Sequence, residues 1–147
     1  MYQRILVATD GSTLSKKAVS NAIDLAQATG AELVALNVVP RYPVSYFEGG
    51  FTVSNAEISR AEKAWADKGQ AVVDRVRDMA VAEGVKAKSA VVRSDLVAEA
   101  ILGAVRKHKC DLVVMASHGR KGIKRVLLGS ETQHVLTHSS VPVLVLR

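Results

Sequence analysis

The sequence predicts an α/β domain, a parallel sheet covered by helices on both faces and joined by right-handed crossovers. Three observations predict it. Short apolar runs alternate with segments of helical period from one end of the chain to the other. Hydrophobic residues fill 48% of the 147 positions and aromatics only 4%, which suits Val-rich inner strands under Ala-rich helices. Two of the apolar runs end directly in Gly/Ser turns, as strands do where they hand over to helices. The length fits one domain over 1–147. Such a chain buries about 68–70% of its unfolded surface and needs no disulfide or metal to fold.

The elements follow in order. Arg4 to Thr9 is an apolar run read as the first strand, ending in Asp10-Gly11-Ser12. Leu14, Ala18, Ala22 and Leu25 recur at helical spacing, and Gly30 stops that helix. Glu32 to Val38 is the second strand, closed by Pro40. Arg41 to Asn55, with two glycines and four aromatics, has no clean period and reads as a long loop that packs on something. Ser54 and Glu57 match a capping box. The long helix behind it carries Ile58, Ala61, Trp65, Val72, Val76 and Met79 on one face, and Gly84 ends it. Gly69 costs about 1 kcal/mol relative to Ala inside a helix, which makes it a candidate point for a local break. Lys86 to Val92 is the third strand, and Ser94 or Asp95 caps a helix with Ile101, Leu102 and Val105 inward. Asp111 to Ala116 is the fourth strand, Glu131 to about His138 a short helix, and Val141 to Leu146 the fifth strand. Pro142 suits a strand start or an edge.

Composition narrows the function classes. Cys110 is the only cysteine, which leaves no internal disulfide, and its place before an apolar run reads as a buried, inert thiol. No apolar run approaches a membrane span, and Met1 to Arg4 lead straight into a strand, so the expected compartment is the cytoplasm. The net charge of +6 is spread over helix faces without basic–aromatic interleaving, which reads as a solvated surface rather than a nucleic-acid site.

The stretch with the most chemistry is Ala116-Ser117-His118-Gly119, nine residues, then Gly129-Ser130, directly after Leu112-Val113-Val114-Met115. Small residues let backbone N–H groups approach an anion, and the next helix aims its unpaired amides and dipole at the same spot. Gly129 and Ser130 fit phosphate binding, and Ser130 with Gln133 also fits a capping box. Arg120, Lys121, Lys124 and Arg125 are a basic cluster that reads either as a solvated loop or as neutralisation of a polyphosphate. A charge pair at 4 Å is worth about 4 kcal/mol at an effective dielectric of 20 against about 1 kcal/mol in water. Arg120, beside Gly119, is therefore the member expected to matter, the others serving as steering charge. Asp10 fits a ribose or adenine acceptor and equally a helix cap with Ser12. His118 has no paired base, nucleophile or metal cluster and reads as a pocket-lining residue. The other histidines lack metal-ligand spacing to Cys110, and the chain carries neither a Walker motif nor a dinucleotide fingerprint.

Three motifs in this order, Ile5 to Ser12, Asp111 to Arg120, and Leu127-Leu128-Gly129-Ser130 through Val141-Pro142-Val143-Leu144-Val145, resemble universal stress proteins over essentially the whole chain. The resemblance implies a Rossmann-like, adenine nucleotide alpha hydrolase-like sheet of five parallel strands in the order 3-2-1-4-5. The first and fourth strands are then neighbours, and their two loops meet at one crevice. It also implies a homodimer, in which Val141 to Leu146 pairs with its two-fold mate and covers an apolar edge. ATP-binding members carry glycine, two residues, glycine, nine residues, glycine and serine or threonine. Here the spacing is kept, with Ala116 in the first glycine's place. A second departure is Ser94-Asp95-Leu96-Val97, where the family often has a Gly-x-Pro turn.

The nucleotide site this implies comprises Ala8, Thr9, Asp10, Val38, Ala116, His118, Gly119, Arg120, Gly129, Ser130, Glu131 and Thr132. Asp10 and Val38 hold the nucleoside, and Gly119 with Gly129 to Thr132 cradles the phosphates. Mg²⁺ bridges phosphate oxygens rather than protein side chains. The expected role is a stress-response module that binds ATP as a regulatory ligand, with at most very slow hydrolysis and no catalytic residue, acting on an unidentified protein partner. The alternative is a dimerisation and partner-interaction module of the same fold that binds no nucleotide.

Overall fold

The computed structural model describes residues 1–43, 53–119 and 128–147. Five strands and four helices alternate through these residues: β1 (Arg4–Ala8), α1 (Thr13–Thr29), β2 (Glu32–Val39), α2 (Asn55–Ala82), β3 (Ala87–Arg93), α3 (Val97–His108), β4 (Leu112–Ala116), α4 (Ser130–His138) and β5 (Val143–Leu146). The strands form one parallel sheet in the order β3-β2-β1-β4-β5. This is the order that the resemblance implies.

Alternation along the inner strands builds two cores. Ile5, Val7, Leu33, Ala35, Leu112 and Val114 face one side, where Ala18, Ala22 and Ala26 of α1 and Val73, Val76 and Ala80 of α2 cover them. Leu6, Val34, Leu36, Val113 and Met115 face the other, under Ala98, Ile101 and Val105 of α3 and Val135 of α4. Small alanines let α1 lie close to the sheet, and full burial of each larger aliphatic is worth about 1.5–3 kcal/mol.

The helix ends mostly follow local chemistry. Ser12 caps α1 by accepting from the Ser15 N–H, and Gly30 ends it in the left-handed region at φ 72°. Ser54 and Glu57 form the expected capping box. Other expectations need correction. α2 runs unbroken through Gly69, because that glycine is a contact point: a Cβ there would lie 2.6 Å from Asn37 Oδ1 and 2.7 Å from Val39 Cγ1. Gly69, Val73, Val76 and Ala80 therefore form the buried stripe, which turns Met79 outward to 47% exposure. Ser94 and Asp95 do not cap α3, whose N-cap position is Leu96. Nor does Ser130 cap α4: Gly129 is the N-cap, and no side chain bonds there. β5 begins at Val143, and the Pro142 carbonyl before it accepts the Val113 N–H.

Candidate functional site

Between β1 and β4 the winding of the sheet reverses, and their carboxyl ends leave a crevice, the place where open α/β sheets hold ligands. A cavity of about 490 Å³ lies there. Its size is within the usual 300–1,000 Å³ of small-molecule sites.

The β1 side of the cavity is a network of polar bonds. The Thr9 N–H continues the sheet by donating to the Leu36 carbonyl at 2.9 Å. The Thr9 hydroxyl shares a 3.0 Å bond with Ser15 Oγ and accepts the Gly11 N–H. Ser15 Oγ in turn donates to the Ser12 carbonyl. Asp10 Oδ1 accepts the Ser12 N–H at 2.9 Å, which orients the carboxylate. A Cβ on Gly119 would lie 3.5 Å from Asp10 Oδ2, so the two loops approach each other at that point.

The β4 side is tied down by α4. Ser117 N–H donates to the Leu146 carbonyl at 2.7 Å, and Gly129 N–H donates to the Ser117 carbonyl at 2.8 Å. Thr132 Oγ1 donates to the carbonyls of Ala116 and Ser117, 3.1 Å from each. A Cβ on Gly129 would sit 3.2 Å from the Ser117 carbonyl, so the glycine allows this close approach. Ser117 Oγ lies 2.9 Å from His118 Nδ1. The N–H groups of the first turn of α4 have no carbonyl to reach within their own helix.

Of the residues singled out from the sequence, Ala8, Thr9, Asp10, Val38, Ala116, His118, Gly119, Glu131 and Thr132 line this one cavity. Gly129 and Ser130 are not among the residues that line it, and Gly129 spends its N–H on the Ser117 carbonyl. Arg120, Lys121, Lys124 and Arg125 lie outside the described residues, as does the 44–52 part of the aromatic loop. Tyr42, at the described start of that loop, stacks on Trp65 of α2 with ring centroids 5.9 Å apart.

Sequence reasoning missed the apolar wall. Leu36, Pro40, Val97, Ile101 and Met115 line the cavity beside Val38. On a strand or helix such residues look like core, and only the neighbouring Asp and Ser turns hint otherwise. It also missed the role of the Glu131 side chain. Oε2 of Glu131 accepts the Ala98 N–H at 2.9 Å, so α4 supplies the cap that α3 lacks. The Asp95 carboxylate accepts the Arg41 N–H at 3.0 Å and links the loops after β2 and β3. The cavity thus has an aliphatic slab, carboxylates held by backbone amides, and a helix N-terminus.

The universal stress protein family model matches residues 1–147. The chain belongs to the universal stress protein family. A family member from Thermus aquaticus is 34% identical over the full length of both chains. Among solved structures, UspA from Lactobacillus plantarum shares the fold at a TM-score of 0.82 and 24% identity, over 99% of this chain and 98% of its own. A universal stress protein solved in complex with cAMP is 28% identical, with a TM-score of 0.69 over 99% of this chain and 97% of that one. No helix among the described residues of this family member is long and apolar enough to cross a membrane.

Proposed function

We propose that this universal stress protein binds an adenine nucleotide, ATP with Mg²⁺ foremost, in the crevice between β1 and β4, and that it works as a regulatory binding module rather than an enzyme. The carrying observation is the convergence of nine of the expected site residues, from four separate segments, on one cavity with an apolar slab and a helix N-terminus. The complex of a 28% identical family member with cAMP supports the same ligand class.

The parts divide by chemistry. Leu36, Val38, Ile101 and Met115 offer an apolar surface to a base. Asp10 offers an acceptor for a ribose hydroxyl. The first-turn N–H groups of α4, from Ser130 to Thr132, offer donors and a positive dipole end to a phosphate. Mg²⁺ would sit on phosphate oxygens and water. Catalysis has no role in this reading: His118 bonds to Ser117 and stands as a wall residue.

The module is a homodimer in this reading. β5 stands last in the sheet order with Leu144 39% exposed, and Leu136 of α4 is 40% exposed. Pairing β5 with its two-fold mate would cover this edge. A nucleotide that bridges β1, β4 and α4 would stiffen the element next to that edge and so alter what a partner protein meets.

The test is to denature freshly purified protein, assay the supernatant for adenine nucleotides, and titrate nucleotide-free protein with Mg-ATP by calorimetry. Bound nucleotide or a saturable heat is expected; absence of both overturns the proposal. A second reading, a partner-interaction module without nucleotide, draws on Ala116 in place of the family's first glycine and on the Gly129 N–H being spent on Ser117. Binding that appears only after Ala116→Gly would favour it. Light scattering at micromolar concentration tests the dimer, and a monomer would refute that part.

A further inference from the structure

We propose that Asn37 and Gly69 form a positioning pair that sets the Thr9–Asp10 turn for the ligand's ribose, so that α2 takes part in recognition without touching the ligand. The proposal rests on the nucleotide reading above and adds a residue pair outside the cavity to it.

Asn37 lies between Leu36 and Val38, which line the cavity. Strand alternation turns its side chain to the opposite face, towards α2. Asn37 is 8% exposed, and a buried amide is costly unless it is bonded. Its bond leaves its own strand: Nδ2 donates to the Thr9 carbonyl at 2.8 Å. The Thr9 N–H is already held by the Leu36 carbonyl. β2 therefore grips Thr9 twice, once through its backbone and once through a side chain. The next peptide unit is planar and trans, so fixing the Thr9 carbonyl also fixes the Asp10 N–H, pointing away from Asn37. The Asp10 carboxylate starts from that fixed unit and is completed by the Ser12 N–H.

Behind Asn37 stands the backbone of α2. At Gly69 the helix comes so close that a Cβ would lie 2.6 Å from Asn37 Oδ1. Any side chain there must push Asn37 or lift the helix. A glycine inside a helix is less favourable than Ala, and the close seat for Asn37 is the gain. None of the described residues of α2 lines the cavity.

The experiment compares Mg-ATP with Mg-2′,3′-dideoxy-ATP by calorimetry on wild type, N37A, N37D, G69A and the N37A/G69A double variant, with thermal unfolding to confirm each fold. Wild type should prefer the ribonucleotide by tenfold or more. N37A and G69A should each lower that preference to within threefold, with dideoxy-ATP affinity nearly unchanged. The double variant should be no worse than the weaker single one. N37D keeps the shape but sets an acceptor against the Thr9 carbonyl, and should lose the preference as N37A does. The proposal is overturned if both ligands weaken equally, if N37D behaves as wild type, or if the preference survives. A wild type that binds both ligands equally overturns it and leaves the nucleotide reading standing. A wild type that binds neither removes both.

Discussion

Removing the Glu131 carboxylate should loosen α3, although Glu131 belongs to α4. α3 has no side-chain cap of its own, and the Ala98 N–H that such a cap would satisfy is instead bonded by Glu131 Oε2 at 2.9 Å. Loss of an N-cap acceptor costs about 1 kcal/mol within a range of roughly 0.5–2. A negative charge at a helix N-terminus adds about 0.3–1 kcal/mol, screened by salt. Glu131→Ala loses both, about 1–2 kcal/mol. In a domain of this length that lowers Tm by about 2–8 °C, at roughly 2–4 °C per kcal/mol. Glu131→Gln keeps an acceptor of the same reach and loses only the charge, so it should cost about 0.3–1 kcal/mol. Urea unfolding at low salt measures both. A Glu131→Ala variant within about 0.3 kcal/mol of wild type, or a Gln variant as costly as Ala, would refute the capping role.

Three further outcomes follow from the same structure. Thr132→Val should cost about 1–3 kcal/mol in urea unfolding, because it strips a shared donor from the buried carbonyls of Ala116 and Ser117; Thr132→Ser should restore most of it. Cys110 is buried, which pushes its thiol up to about 11. It should therefore resist a thiol reagent at pH 8 in the native protein and react at once in denaturant. Burial alone would raise the Asp111 carboxyl, but the N–H groups of Gln3 and Arg4 outweigh it and hold it below the ordinary range. Its folded value lies under its unfolded one, so its stabilisation is present above about pH 4 and is lost as pH falls through the folded value. Asp111→Asn should flatten that acid limb in pH-dependent unfolding, and an unchanged limb would refute the assignment.

The alternation of strands and helices was legible because each apolar run was short and each ended in a recognisable breaker. Gly30 shows why: a left-handed residue at φ 72° is what a glycine after an amphipathic run predicts. Gly69 shows the limit of such reasoning. Local propensity reads it as a weak point of α2, whereas its reason lies in a strand thirty-two positions earlier. The cap of α3 failed for the same reason: Ser94 and Asp95 are plausible by type, but Glu131 reaches across from another helix, and nothing local marks that. The start of α4 differs only by one residue, with Gly129 rather than Ser130 as the N-cap. Met79 faced inward on one choice of helical phase and outward on the phase that Gly69 sets. The candidate site was read from its polar and glycine positions. Its aliphatic wall was hidden, because Leu36, Ile101 and Met115 differ in no local way from core residues until the sheet order sets them around one crevice.

A crystal structure of the protein grown with excess Mg-ATP would decide whether the crevice is a nucleotide site. Adenine is expected against Leu36, Val38 and Ile101, a ribose hydroxyl on the Asp10 carboxylate, and phosphate at the N–H groups of the first turn of α4. Nucleotide bound elsewhere, or side chains of the aliphatic wall filling the crevice in its place, would contradict it.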